Sequence, residues 1–218
     1  GSMDPVELIG ATVTPFAVGD FTFSTPLVPQ SALTNDVGVF TLTLSAGVES
    51  RISWRTEHSS GLPTYALNEQ LDVTQSMVTV NRAVVSTLTA NAIPQLIGTE
   101  RVSGAGVLAG DVFDCDGDEV RGAIATVSST SGAGNTLPTF VPDAEVYYFQ
   151  GLLPVDRGST TETTARGTFV ILNIPPGTSS YTQVWGFLDD AALAQGQAGL
   201  SLVSEFQGPV IGDAIISI

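Results

Sequence analysis

The chain has 218 residues, 43% of them hydrophobic and only 13% charged, a composition that builds a core rather than a disordered coil. Its seven basic residues are all arginines, set against 22 acidic ones for a formal net charge of -15, and a field of that sign excludes nucleic-acid binding through a basic patch. With no lysine there is no Schiff base, no P-loop and no lysine–asparagine isopeptide, and the single cysteine leaves no internal disulfide.

The opening Gly-Ser-Met reads as a cloning remnant, so an export signal or lipid-anchoring cysteine is expected upstream of the natural sequence. No apolar run reaches the roughly 18–20 residues that span a bilayer. Strand signals then dominate. The stretch "GVFTLTLSAG" (38–47) alternates, with Phe40, Leu42 and Leu44 on one face and Val39, Thr41 and Thr43 on the other. A strand is expected at 50–57, followed by a polar loop at 58–76. Residues 85–98 carry a short helix ended or kinked near Pro94. Further strands are expected at 123–130, 145–151, 167–177, 180–187, 199–206 and 209–218, with a long Gly/Pro-bearing loop at 129–145. A helical turn begins at Asp189 and stops at Gly196. Short strands at this spacing, separated by turn residues, indicate an all-β antiparallel sandwich.

The chain repeats itself. "IGATV" (9–13) matches "RGAIATV" (121–127), and "TNDVGVFTL" (34–42) matches "TTARGTFVI" (163–171). Short turns ending in glycine follow, "SAG" (45–47) and "PPG" (175–177), and then Trp54 and Trp185. The expected domains are residues 4–82 and 104–218, with 83–103 connecting them.

These motifs resemble the carboxypeptidase regulatory-like domain, a transthyretin-like β-sandwich with the order G-x-V, D-x-x-G, G-A, T-x-x-x-G-x-F, P-x-G. The second half carries Gly106, Val112, Asp114, Gly117, Val120, Gly122, Ala123, Thr163, Gly167, Phe169, Pro176 and Gly177. The first half carries the pattern from Gly10 and Ala11 onward, without its first strand. The resemblance implies tandem transthyretin-like/Ig-like antiparallel sandwiches with one or two short helices. It also implies an accessory role without catalysis, as in exported or lipid-anchored surface proteins of myxobacteria and related bacteria. The His-x-x-Glu zinc pair of the attached carboxypeptidases is absent, since the only histidine is His58.

Candidate sites are few. In "GDVFDCDGDEVRGA" (110–123), Asp114, Asp116 and Asp118 occupy the first three places of a calcium loop. The glycine falls at Gly117 rather than at Glu119, and the twelfth place is Ala125, so the EF-hand reading fails. Two readings remain: a looser calcium site of Asp114, Asp116, Asp118 and Glu119, and a hairpin turn made by Gly117 and supported by the Asp114 side chain. Cys115 is expected as an inert, buried small hydrophobe. Trp54 and Trp185 are expected in shared core positions, and His58 in a plain loop. Tyr65, Tyr147 and Tyr148 are the exposed aromatic candidates for ligand contact, and Arg121–Glu119 and Arg157–Asp156 are expected as solvated pairs. The chain is therefore expected to be a non-enzymatic structural, adhesive or assembly module, exported to the cell surface, outer membrane or periplasm. Its expected partner is a protein or a second copy, met through sheet edges. The alternatives are a carbohydrate- or peptide-binding module, with a groove near Tyr65 or the 129–145 loop, and a calcium-stabilised surface domain.

Overall fold

Short alternating runs rich in Val, Ile, Thr and aromatics give a mostly β protein, 37% strand and 11% helix, with open sheets. The computed structural model describes residues 7–45 and 50–218, excepting the side chains of residues 178 and 179. Two compact units divide between Ala90 and Asn91, inside the 83–103 connection, with Ser217 alone of the later residues grouped with the first.

The first unit contains β1 (Thr12–Ala17), β2 (Ala32–Leu33), β3 (Arg51–Glu57), β4 (Gly61–Leu62), β5 (Thr64–Gln70) and β6 (Val85–Ser86). An antiparallel sheet runs in the order β2–β1–β3–β5, and β4 pairs with β6. Val13, Ile52, Trp54, Ala66 and Leu71 form its buried cluster. Phe40, Leu42 and Leu44 pack against that cluster while Thr41 and Thr43 are exposed, so the alternation at 38–45 is as expected. Those residues nevertheless join no ladder among the described residues: the apolar face is satisfied by packing, and no neighbouring strand takes up the backbone groups. The Ala46–Gly47 end of the "SAG" turn lies outside the described residues. The polar loop at 58–76 is corrected, because it contains β4 and β5. Thr64–Leu67 are buried in succession, so β5 shows no two-residue period to read.

Helix α1 (Thr87–Leu96) starts where the Ser86 hydroxyl accepts the Thr89 N–H at 3.0 Å. Pro94 lies inside it, and the helix runs only two residues further before Gly98 turns the backbone at φ +76°.

The second unit contains β7 (Gly106–Asp111), β8 (Ile124–Ser128), β9 (Glu145–Gln150), β10 (Leu153–Pro154), β11 (Thr168–Ile174), β12 (Gly177–Gly186), the helix α2 (Asp190–Ala194), β13 (Ser201–Val210) and β14 (Ile215–Ser217). One sheet runs β10–β9–β11–β7–β14, and a second runs β13–β12–β8. Phe169, Ile171, Val127, Trp185 and Ile216 are fully buried. The Asp189 side chain caps α2 by accepting the Ala192 N–H at 2.7 Å. The two strands expected at 199–206 and 209–218 are partitioned differently: β13 runs unbroken through Pro209 to Val210, and a turn with Asp213 at φ 52° precedes β14. In β11 the register shifts between Ile171 and Ile174, with Asn173 at φ 60°. Its side chain accepts the Val102 N–H at 2.8 Å and donates to the Glu100 carbonyl at 3.0 Å, tying residues 100–102 to the strand.

The sequence repeat becomes a repeated piece of geometry. Gly10 and Gly122 both take φ 75°, and the alanine after each is buried. The Gly10 N–H donates to the Thr34 carbonyl and the Thr34 N–H to the Ala11 carbonyl, both at 2.9 Å. Gly122, Thr163 and Ala123 repeat this at 2.8 Å. In each unit the threonine hydroxyl accepts the alanine N–H at 2.9 Å and donates to the carbonyl two residues before the glycine, Leu8 or Val120. A threonine thus takes the place of a strand neighbour. Glycine is required because the clasp turns the chain into the left-handed region just before the packed alanine.

Candidate functional site

The acidic stretch is a hairpin tip. Phe113 and Glu119 form an isolated bridge, Gly117 sits at φ +89°, and Asp114 Oδ1 accepts the N–H groups of Asp116 and Asp118 at 2.9 Å each. Asp114, Asp116, Asp118 and Glu119 are all exposed. Among the described residues no three His, Cys, Asp or Glu side chains converge as a metal-holding group, so the structure does not bring these four together. Cys115, expected to be buried, is exposed, because every residue from Phe113 to Glu119 is exposed at this tip.

The three tyrosines are corrected as well. Tyr65, Tyr147 and Tyr148 retain only 8%, 6% and 5% exposure: Tyr65 lies within β5 rather than in a loop, and Tyr147 and Tyr148 lie in the expected strand, β9, but are buried there. Tyr65 packs on Phe23, with ring centroids 4.6 Å apart. The Tyr147 hydroxyl donates to Glu145 Oε2 at 2.9 Å. Burial raises the pKa of all three phenols, and the Glu145 acceptor raises Tyr147 further. Trp54 and Trp185 are buried, as their repeat positions imply. His58 is half-buried; its Nδ1 accepts the Ser60 N–H at 3.2 Å and lies 2.7 Å from the Ser60 hydroxyl, which makes it part of a turn. The ion pairs of the described residues are Arg55–Glu57, Arg82–Glu69 and Arg101–Asp213, and the expected Arg121–Glu119 and Arg157–Asp156 pairs are not among them.

The second unit carries a cleft of about 550 Å³ beside the 129–145 loop. It is lined by Ile124 to Val127 of the edge strand β8, by Trp185 of β12 and by Val146 and Tyr148 of β9. Leu137, Pro138, Phe140, Val141 and Ala144 line it from the 129–145 loop. Arg157, Thr160, Thr161, Gln197 and Leu200 complete the lining. Leu137 and Phe140 are 51% and 68% exposed, so the apolar surface continues beyond the cavity. Arg157 is the one charged side chain of this lining. Its Nε donates to the Val146 carbonyl at 3.3 Å and its guanidinium lies 5.3 Å from the Tyr147 ring centroid.

The β8 edge is closed in part by side chains and in part by the backbone of the 129–145 loop. The Tyr148 hydroxyl accepts the Ala125 N–H at 3.0 Å, Thr163 holds Ala123, and the Val141 N–H donates to the Val127 carbonyl at 3.2 Å. A polar clamp fixes the start of the loop. Glu205 Oε1 accepts the Ser131 hydroxyl at 2.7 Å, while Oε2 accepts the Gly132 N–H at 2.6 Å and the Gln183 amide at 2.8 Å. Fully buried Gln183 also donates to the Thr130 carbonyl and accepts the Trp185 indole N–H. Partial desolvation pushes the Glu205 pKa up, but these three donors outweigh it and hold the carboxyl below its ordinary range.

Sequence reasoning pointed to the 129–145 loop but missed Arg157 and the β8 edge. The apolar letters of "TLPTFVP" (136–142) inside a polar loop were the readable signal. Searches of family models, curated proteins and solved structures return no match to this chain. The carboxypeptidase regulatory-like resemblance therefore rests on the order of its motifs alone.

Proposed function

We propose that this chain is a non-catalytic protein-contact module whose working site is the second-unit cleft, where an apolar stretch of a partner polypeptide docks. The observation that carries this reading is the apolar lining of the cleft, continued outward by exposed Leu137 and Phe140, on a chain with a net charge of -15. The cleft is favoured over bare sheet edges. The outer edge of β13 carries Pro209, which has no N–H to offer, and its Leu202 N–H is taken by Asn135 at 3.0 Å. A glycan platform is less well supported, since it needs exposed ring faces and Tyr65, Trp54 and Trp185 are buried. The proposed setting is a duplicated transthyretin-like sandwich displayed on a cell surface or in the periplasm, and the matched threonine clasps support the duplication.

The test is a binding screen of immobilised protein against random-heptapeptide display and a glycan array, with Phe140→Asp as the control. The expected result is enrichment of apolar peptides, lost in the variant, which alters an exposed residue and leaves the melting temperature unchanged. Glycan hits without peptide hits would replace this reading.

A further inference from the structure

The occupant of the cleft carries a chemical signature that its apolar walls do not convey. Among the described residues, the cleft offers one backbone donor that the fold leaves unpaired and one arginine that the fold leaves without a carboxylate. The first is a backbone donor. Residues of an edge strand alternate between N–H groups facing the neighbouring strand and N–H groups facing away. The Ala125 N–H faces away, toward Tyr148, and β8 pairs with β12 without a register shift. The Val127 N–H, two residues on, therefore points to the same side. Val127 is buried, its carbonyl is taken by Val141, and no acceptor among the described residues is paired with its N–H. A buried, unpaired backbone donor is rare and marks a place where something else supplies the oxygen. The second feature is Arg157, which has no carboxylate partner among the described ion pairs, although acidic residues outnumber arginines 22 to 7.

Resting on the peptide-docking reading above, we propose that the cleft receives the C-terminal end of a partner polypeptide. The apolar last residues fill the pocket, a peptide carbonyl accepts the Val127 N–H, and the terminal carboxylate pairs with Arg157. The arginine fork matches a carboxylate in two parallel hydrogen bonds. A carboxylate is also the ligand charge that an isolated arginine at an apolar rim complements. The exposed apolar surface of Leu137 and Phe140 outside the cavity suits a chain that continues past its end, which a compact fatty acid does not do.

The experiment compares two display libraries of the same random heptapeptides, one with free C-termini and one with the peptides flanked on both sides. Enriched peptides are then synthesised as free acid and as amide and titrated by fluorescence anisotropy, with decanoate as competitor. The expected result is enrichment in the free-terminus library, binding of the acid tighter than the amide by about tenfold or more, and loss of that difference in Arg157→Gln. Restoration of much of the difference by Arg157→Lys guards against a folding artefact. Equal enrichment in both libraries, or equal affinity of acid and amide, overturns the terminal carboxylate and leaves peptide docking intact. Displacement of the enriched peptide by decanoate at a lower concentration than the free-acid peptide itself needs assigns the site to a free aliphatic carboxylate and overturns the proposal. No enrichment in either library removes the docking reading itself.

Discussion

Replacing Thr163 by valine keeps the shape of the side chain and removes one hydroxyl. That hydroxyl accepts the Ala123 N–H at 2.9 Å and donates to the Val120 carbonyl at 2.8 Å. Thr163 and Ala123 are 2% and 3% exposed, so water does not reach the amide left behind. A buried backbone group without a partner costs about 1–3 kcal/mol, while the half-buried Val120 carbonyl can find solvent and costs less. The expected loss for Thr163→Val is about 2–3 kcal/mol. The same change at Thr34 strikes the same clasp where the threonine is half-buried, and about 1–2 kcal/mol is expected there. Equilibrium urea unfolding followed by tryptophan fluorescence separates the two, since Trp54 reports on the first unit and Trp185 on the second. Thr163→Ser, which keeps the hydroxyl and loses a methyl, is expected to cost no more than about 1 kcal/mol. A Thr163→Val protein within about 0.5 kcal/mol of the parent, or a serine variant as unstable as the valine one, refutes the claim that the hydroxyl stands in for a strand neighbour.

Two further outcomes follow from the same geometry. The Glu205 carboxyl has its pKa depressed on folding from an ordinary 4.5, so its contribution is present above that value and disappears as pH falls through the folded value. The melting-temperature gap between the parent and Glu205→Gln is therefore expected at pH 7 and to narrow as pH falls below the ordinary carboxylate range; a gap independent of pH would assign the clamp to something other than the charge. At the acidic turn, Asp114 already accepts two backbone N–H groups and the four carboxylates do not converge. Equal melting temperatures in calcium and in chelator are expected, and a calcium-dependent rise abolished by Asp114→Asn would restore the cation site.

Much of the strand content was legible because it rested on local alternation. Residues 51–57, 124–128, 145–150 and 168–174 carry β-branched and aromatic residues between turn formers, and each is a strand. Where the signal failed, the cause lies in tertiary context. β5 is buried over four successive residues, and a strand with both faces covered has no two-residue period. Residues 38–45 have the right period but join no ladder among the described residues, and alternation says which face is apolar, not whether a ladder forms. Placing Tyr65, Tyr147 and Tyr148 at the surface followed from treating phenols as contact residues; inside strands they turn inward and spend their hydroxyls on nearby polar groups.

The cleft was hidden for a different reason, which the repeat makes plain. Both halves carry the same Gly-Ala and threonine clasp, yet 23 residues separate Ala11 from Thr34 while 40 separate Ala123 from Thr163. The first interval holds β1 and β2. The second holds β8, the 129–145 loop, β9 and β10, and from it come Val127, Phe140, Tyr148 and Arg157. The duplicated letters thus specify how each unit closes its chain on itself, and the added length between them supplies the surface that can differ. In the proposed reading, function belongs to the interval rather than to the motif: the acidic turn, the most unusual string in the sequence, is a tip, and an ordinary-looking loop lines the proposed site.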